Sequence, residues 1–120
     1  MAFDWEHGGL AEGLRCYRGC EYFLAHEHWE DVWRACEGPE RLFLQALIQV
    51  AVAMHHFSRG NRAGAASLLR RSLIKLEKFP ATFGGIEVGP LCESMRAWLR
   101  ALDNSLKNPA DLDMPAPTIR

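Results

Sequence analysis

Apolar positions recur at helical spacing along most of this chain, and nowhere do they alternate with the period of two that marks a strand. Leu10, Leu14 and Tyr17 share one side of a first predicted helix over residues 8–18, and Gly19 stands where a C-terminal glycine would close it. From Cys20 to Cys36 the period is clearer: Tyr22, Ala25, His26, Trp29, Trp33 and Cys36 fall on one face, with Glu27, Asp31 and Arg34 opposite, and Gly38-Pro39 ends the run. A third helix, about Pro39 to Ser58, is apolar around its central turns, the pattern of a helix packed on several sides. Gly60-Asn61 supplies a terminal glycine and an N-cap, and Ala65, Leu69, Leu73 and Leu76 form the core face of a fourth helix reaching about Lys78. A glycine-rich loop from Pro80 to Gly89 leads to Pro90, expected as the first residue of a fifth helix with the face Leu91, Met95, Trp98, Leu99, Leu102 and Leu106.

These elements predict an all-α fold: a compact single-domain bundle of about five helices built from antiparallel hairpins. The bundle is expected over residues 1–108. The remainder, PADLDMPAPTIR, has three prolines and no period, so residues 109–120 are expected as an extended or mobile tail. One echo, R-G-C-E-Y-F-L-A at Arg18 to Ala25 against R-G-N-R-A-G-A-A at Arg59 to Ala66, hints at tetratricopeptide-like hairpins, although a solenoid needs about three such units.

Composition narrows the class. Hydrophobic residues make up 48% and charged residues 24%, values of a folded globular chain, and the formal charge of −1 provides no global field toward nucleic acid or an anionic membrane. The apolar run Leu42 to Met54 is interrupted by Gln45 and Gln49 and falls short of the roughly 20 residues a bilayer requires. The opening MAFDWEHGGLAEG lacks the basic-then-apolar layout of a secretion signal, so the expected location is cytoplasmic. Cys16, Cys20, Cys36 and Cys92 have no CxxC spacing and read as reduced core thiols, with metal or redox work by Cys16 and Cys20 the minor alternative.

The chemistry concentrates in AHEHWEDVWR, where His26 sits mid-face on the second helix and Glu30 follows one turn later. Gln45 and Gln49 are the polar residues between Leu42 and Met54, on a stripe with Val52 and His56. Buried amides need partners, since each orphan costs about 1–3 kcal/mol. Counting outward from Glu37-Gly38-Pro39, His26 comes level with Gln49 and Glu30 with Gln45, which predicts a hydrogen-bonded ladder walled by Trp29 and Trp33. The primary reading is therefore a binding or scaffold protein with an internal His/Glu/Gln site. No cofactor is required, and a divalent metal is the one left open. Its rival is a metal-assisted hydrolase using His26, Glu30 and His56, with Glu27 as proton acceptor. H-E-x-x-E lacks the second histidine of a zinc protease, glutamines ligate weakly, and His56 lies roughly 10 Å along the axis from Gln49. A third reading is an interaction module working through its hairpin faces or through exposed Trp5 and Phe3, its partner a small ligand, another protein or a second copy.

Arg71, Lys75 and Lys78 line one side of the fourth helix with Arg70 and Arg62 nearby, and Arg96 and Arg100 lie on the fifth. Without a recognition motif they read as solvated faces, and nucleic acid is not the expected partner. His55 and His56 end the third helix, where a histidine is favoured by the macrodipole.

The stretches EYFLAHEHWEDVWR, FLQALIQVAVAMHHFSRGNRAGAASLLRRSLIKL and GIEVGPL, in this order over most of Leu10 to Leu102, resemble the family known as domain of unknown function 309. The specific signals are A-H-E-x-x-E-x-x-W-R, F-L-Q-x-L-I-Q and R-G-N-x-x-G-A. The resemblance implies a compact helical fold and no established activity. It places the family's characteristic polar residues on His26, Glu27, Glu30, Trp33, Gln45, Gln49 and His56. His28, His55 and Glu87 depart from the pattern, which implies an aliphatic residue, an aromatic residue and aspartate there.

Overall fold

Glycines and an asparagine punctuate the chain where helices turn back. The computed structural model describes residues 3–103 and 114–120. Helix α1 (Gly8–Arg18) is followed by α2 (Tyr22–Trp33), α3 (Gly38–Ser58) and α4 (Arg62–Leu76), then a hairpin of β1 (Thr82–Phe83) and β2 (Ile86–Glu87), and α5 (Val88–Asp103). The fold is all-α apart from that small hairpin. The outer part of the expected fifth helix, residues 104–108, and residues 109–113 of the tail lie outside the described residues.

Each helix packs mainly on the next in sequence: α1 on α2, α2 on α3, α3 on α4 and α4 on α5. Contacts at opposite ends fix the pairs as antiparallel. Phe23, at the start of α2, meets His55, at the end of α3 (ring centroids 5.4 Å apart), while Arg41 stacks on Trp33 at the other end of the pair. The buried Ser72 of α4 donates from Oγ to Ala46 O of α3 (2.8 Å). The core is dominated by α3, whose Phe43, Leu44, Leu47 and Val50 are fully buried, joined by Trp29, Leu69, Leu91 and Met95. With extents of 44 × 26 × 19 Å, the bundle is only about two helix diameters thick, so α3 cannot be enclosed on every side.

The α1–α2 and α3–α4 corners differ in their capping. At the end of α3, Gly60 adopts φ 80°, with Gly60 N donating to Phe57 O (2.9 Å) and Asn61 N to His56 O (2.8 Å). This is a Schellman closure with glycine in the left-handed position. At the end of α1 the same closure uses Cys20, φ 63°, with Cys20 N on Tyr17 O (3.1 Å) and Glu21 N on Cys16 O (2.8 Å). Gly19 therefore stands one position before the left-handed residue, at φ −87°. The two Arg-Gly pairs of the sequence echo thus occupy different cap positions. Cys20 is exposed rather than a core thiol, whereas Cys36 and Cys92 are buried. A β-carbon in the left-handed region costs about 1–2 kcal/mol, part of which is offset by the floppier unfolded chain of a glycine variant. Cys20→Gly is expected to raise the unfolding free energy by about 0.5–1 kcal/mol in a denaturant titration; a lower midpoint would contradict this strain.

The loop expected over Pro80 to Gly89 contains the hairpin, turned by Gly84 (φ 56°) and Gly85 (φ 83°), the two left-handed residues of a type I′ turn. α5 begins at Val88, two residues ahead of Pro90. Phe3 and Trp5, expected as exposed, pack on this end of the bundle. Phe3 stacks on Phe43, Trp5 lies edge-on to Trp29, and Trp5 Nε1 donates to Gly84 O (2.7 Å). No described helix is long and apolar enough to cross a membrane.

Candidate functional site

Helix α3 decides where the polar residues of the second and third helices point. Between Phe43 and His56 the half-buried residues are Gln45, Ile48, Gln49, Val52, His55 and His56, and every other one is buried. At 100° per residue these six span an arc of about 120°, one open stripe along the helix. Gln45 and Gln49 thus line a solvent-facing floor, and α3 is not packed all round as its composition suggests.

The α2 flank beside this floor carries Phe23, His26, Glu30 and Arg34. His26 Nε2 lies 2.8 Å from Glu30 Oε2, and Arg34 reaches both Glu30 Oε1 (3.2 Å) and Asp31 Oδ1 (2.6 Å). His26 Nδ1 is 3.3 Å from Phe23 O, so both ring nitrogens face oxygens of their own helix. The predicted turn pairing of His26 with Glu30 is present. The predicted ladder across to the glutamines is not: Gln49 Oε1 accepts from Lys75 Nζ of α4 (3.0 Å), and among the described residues neither glutamine bonds to His26 or Glu30. The level count fails by about one turn, since it would set Phe23 beside Val52 and the rings place it beside His55.

Trp33 closes one end of the floor. The Arg41 guanidinium stacks 3.7 Å from its ring centroid while Arg41 Nη1 donates to Trp33 O (3.3 Å) and Cys36 O (3.2 Å), and the buried indole N–H has no partner among the described residues. At the other end His56 belongs to the α3–α4 corner. Its Nδ1 lies 3.3 Å from Asn61 Nδ2, while Asn61 Oδ1 caps α4 by accepting from Gly64 N (2.9 Å). A β-carbon on Gly64 would come within 2.5 Å of the Asn61 side chain, so R-G-N-x-x-G-A is read physically as a left-handed glycine, an asparagine cap and the space that cap needs. Glu27 is exposed.

The α4 wall was legible only as a charged surface. Arg62 instead donates to Leu102 O (2.7 Å), Arg70 pairs with Asp103 (2.7 Å) and Arg96 with Glu77 (3.2 Å). Among the described residues no carboxylate pairs with Arg71, Lys75 or Lys78. Partial burial, followed by the like charges of Arg71 and Lys78, holds the Lys75 amine below its ordinary range. A lowered lysine pKa means that the charge destabilises the folded state at neutral pH, a penalty relieved as pH rises through the folded pKa toward the unfolded value. On the α2 side of this face the Glu30 carboxylate is thus already engaged by His26 and Arg34, while among the described residues the basic row has no carboxylate on it. Apolar contact area adjoins the α2 flank: Phe23 is 51% and Leu24 44% exposed.

Among the described residues no three His, Cys, Asp or Glu side chains converge as metal ligands. His26 and Glu30 meet, but His56 is turned to Asn61, so the metal set drawn from the sequence does not assemble.

Residues 10–68 match the model of the family described as Domain of unknown function (DUF309). An uncharacterized protein of Aquifex aeolicus (strain VF5) is 28% identical over 106 residues, covering 86% of this chain and 31% of its own length. The chain thus spans about a third of that relative. The family match takes in the whole α2–α3 face and stops before Arg71, Lys75 and Lys78.

Proposed function

Because residues 10–68 match the model of the domain of unknown function 309 family, a grouping defined without an activity, we propose that this chain is a binding module whose ligand-facing surface is the open side of α2, α3 and α4. Its ligand is an acidic amphipathic segment of a partner protein. Apolar side chains of that segment rest on Ile48, Val52 and Phe23, its main chain or polar groups meet Gln45 and Gln49, and its carboxylates face Arg71, Lys75 and Lys78. The observation that supports this most is the stripe on α3, where Gln45 and Gln49 stand half-buried in line with Ile48, Val52, His55 and His56 while the rest of the helix between Phe43 and His56 is buried. Three cations that have no carboxylate partner among the described residues set the sign of the ligand. An arriving carboxylate relieves the repulsion at Lys75, so binding recovers stability that the free protein lacks. In the Aquifex relative the matching stretch forms part of a much longer chain, a context suited to a recognition module.

Gln45→Leu separates this role from a structural one. Gln45 has no hydrogen-bond partner among the described residues, and half-burying a leucine there gains apolar contact, so the unfolding free energy is expected to rise by about 0.5 kcal/mol. The affinity for an acidic amphipathic peptide, with leucines on one helical face and glutamates on the other, is expected to fall several-fold. A loss of stability above about 1 kcal/mol would instead make the amide a structural element and overturn the reading.

A further inference from the structure

The last described residues, 114–120, run extended across α1 and α5, and their main chain is bound as a peptide ligand would be. Donors on the bundle take alternate carbonyls: Trp98 Nε1 donates to Pro115 O (2.8 Å), Tyr17 Oη to Pro117 O (2.6 Å) and Arg18 Nη2 to Ile119 O (3.1 Å). Ser94 Oγ accepts from Thr118 N (3.2 Å), and Glu87 N donates to Arg120 O (2.6 Å). Burial alternates too, with Pro117 and Ile119 buried and Pro115 and Thr118 exposed. Burial pushes the Tyr17 phenol well above its ordinary range, which keeps it a donor.

These main-chain contacts are blind to side chains, as in other grooves that bind extended chains. Selectivity comes from the two buried positions and from proline itself. Proline has no N–H, so at the buried position 117 it leaves no donor stranded without an acceptor. The groove also exceeds its present occupant: a cavity of about 470 Å³ remains between the segment and Tyr17, Arg18, Cys20 and Tyr22 at the α1–α2 corner.

We propose that this groove is a second interaction site, a receptor for an extended partner segment of the pattern Pro-x-Pro-x-aliphatic. Residues 115–119 of the chain itself hold it until that partner arrives. The site lies apart from the α2–α3–α4 face, and neither proposal depends on the other.

The test uses the full chain carrying Ile119→Asp, which undocks its own segment, and a fluorescein-labelled peptide with the sequence of residues 114–120. The variant is expected to keep its helical circular dichroism and to bind the peptide, and adding Tyr17→Phe to weaken binding by about tenfold. The unaltered chain is expected to bind at least about tenfold more weakly than Ile119→Asp, because the tethered segment competes at high effective concentration. A folded Ile119→Asp chain that leaves the peptide unbound overturns the proposal. So does a concentration-dependent dimer of the unaltered chain held by exchanged segments, which gives the groove to a second copy. If Ile119→Asp unfolds, Ile119→Ser with Pro117→Ser provides the milder undocking; unfolding there as well makes the segment a structural part of the bundle and overturns the proposal.

Discussion

Trp29→Ala is expected to lower the unfolding free energy by about 4 kcal/mol, and Gly13→Ala by about 2 kcal/mol, both read from denaturant titrations. Trp29 is fully buried, stacks on Tyr17 with centroids 5.9 Å apart and donates from Nε1 to Leu10 O (3.2 Å). Truncation leaves a large cavity at the α1–α2 interface and removes the hydrogen bond that joins the two helices there. Gly13 lies against the same indole, and a β-carbon there would overlap its five-membered ring, with Cε2 at 2.9 Å. The ring has little room to move, with Tyr17 stacked on it and Trp5 edge-on to it. Alanine gains about 1 kcal/mol of helix propensity, which offsets only part of the overlap. For a bundle whose net stability is of the order of 5–15 kcal/mol, either loss is large. Gly13→Ala should cost less in a Trp29→Phe background; full additivity of the two changes would show that they do not meet.

The second large effect concerns binding. Reversing three charges together, Arg71→Glu, Lys75→Glu and Lys78→Glu, is expected to weaken the acidic amphipathic peptide by about 100-fold at low salt, roughly 3 kcal/mol. Arg71 and Lys75 on α4 and Lys78 just past its end are exposed or half-buried, and among the described residues none pairs with a carboxylate, so the fold should tolerate the change. Raised salt should narrow the gap, since exposed charges are screened over a Debye length of about 10 Å. Calorimetric titration of both chains measures this directly, and equal affinities would remove α4 from the binding face.

Helix boundaries were legible where one residue dictates backbone geometry. Gly60-Asn61 marked the α3–α4 corner because glycine takes the left-handed position and asparagine caps. The end of α1 at Arg18 was legible, but its left-handed cap position was assigned to Gly19, whereas Cys20, a residue that disfavours that conformation, occupies it. Strands of two residues have no period to detect, so the Gly84-Gly85 hairpin was missed although its turn type was written in the two glycines. The His26–Glu30 contact was legible because residues four apart meet on any helix. The cross-helix pairing was not, because a level count ignores the offset between packed helices and the reach of a lysine from α4. Ile48 and Val52 made α3 look enclosed, and only the thin layering of the bundle reveals that their side is open. The segment 114–120 has no hydrophobic period because its carbonyls, rather than a side-chain stripe, carry most of its contacts.

The central claim is that the open side of α2, α3 and α4 receives an acidic amphipathic segment. Nuclear magnetic resonance of the isotope-labelled full chain, titrated at low salt with the leucine–glutamate peptide, tests it residue by residue. Saturable shifts are predicted at Gln45, Ile48, Gln49 and Val52 on the floor, at Phe23 on one wall and at Arg71, Lys75 and Lys78 on the other. Shifts confined to other surfaces, such as Arg100 on α5, or no shifts at low salt, would contradict it.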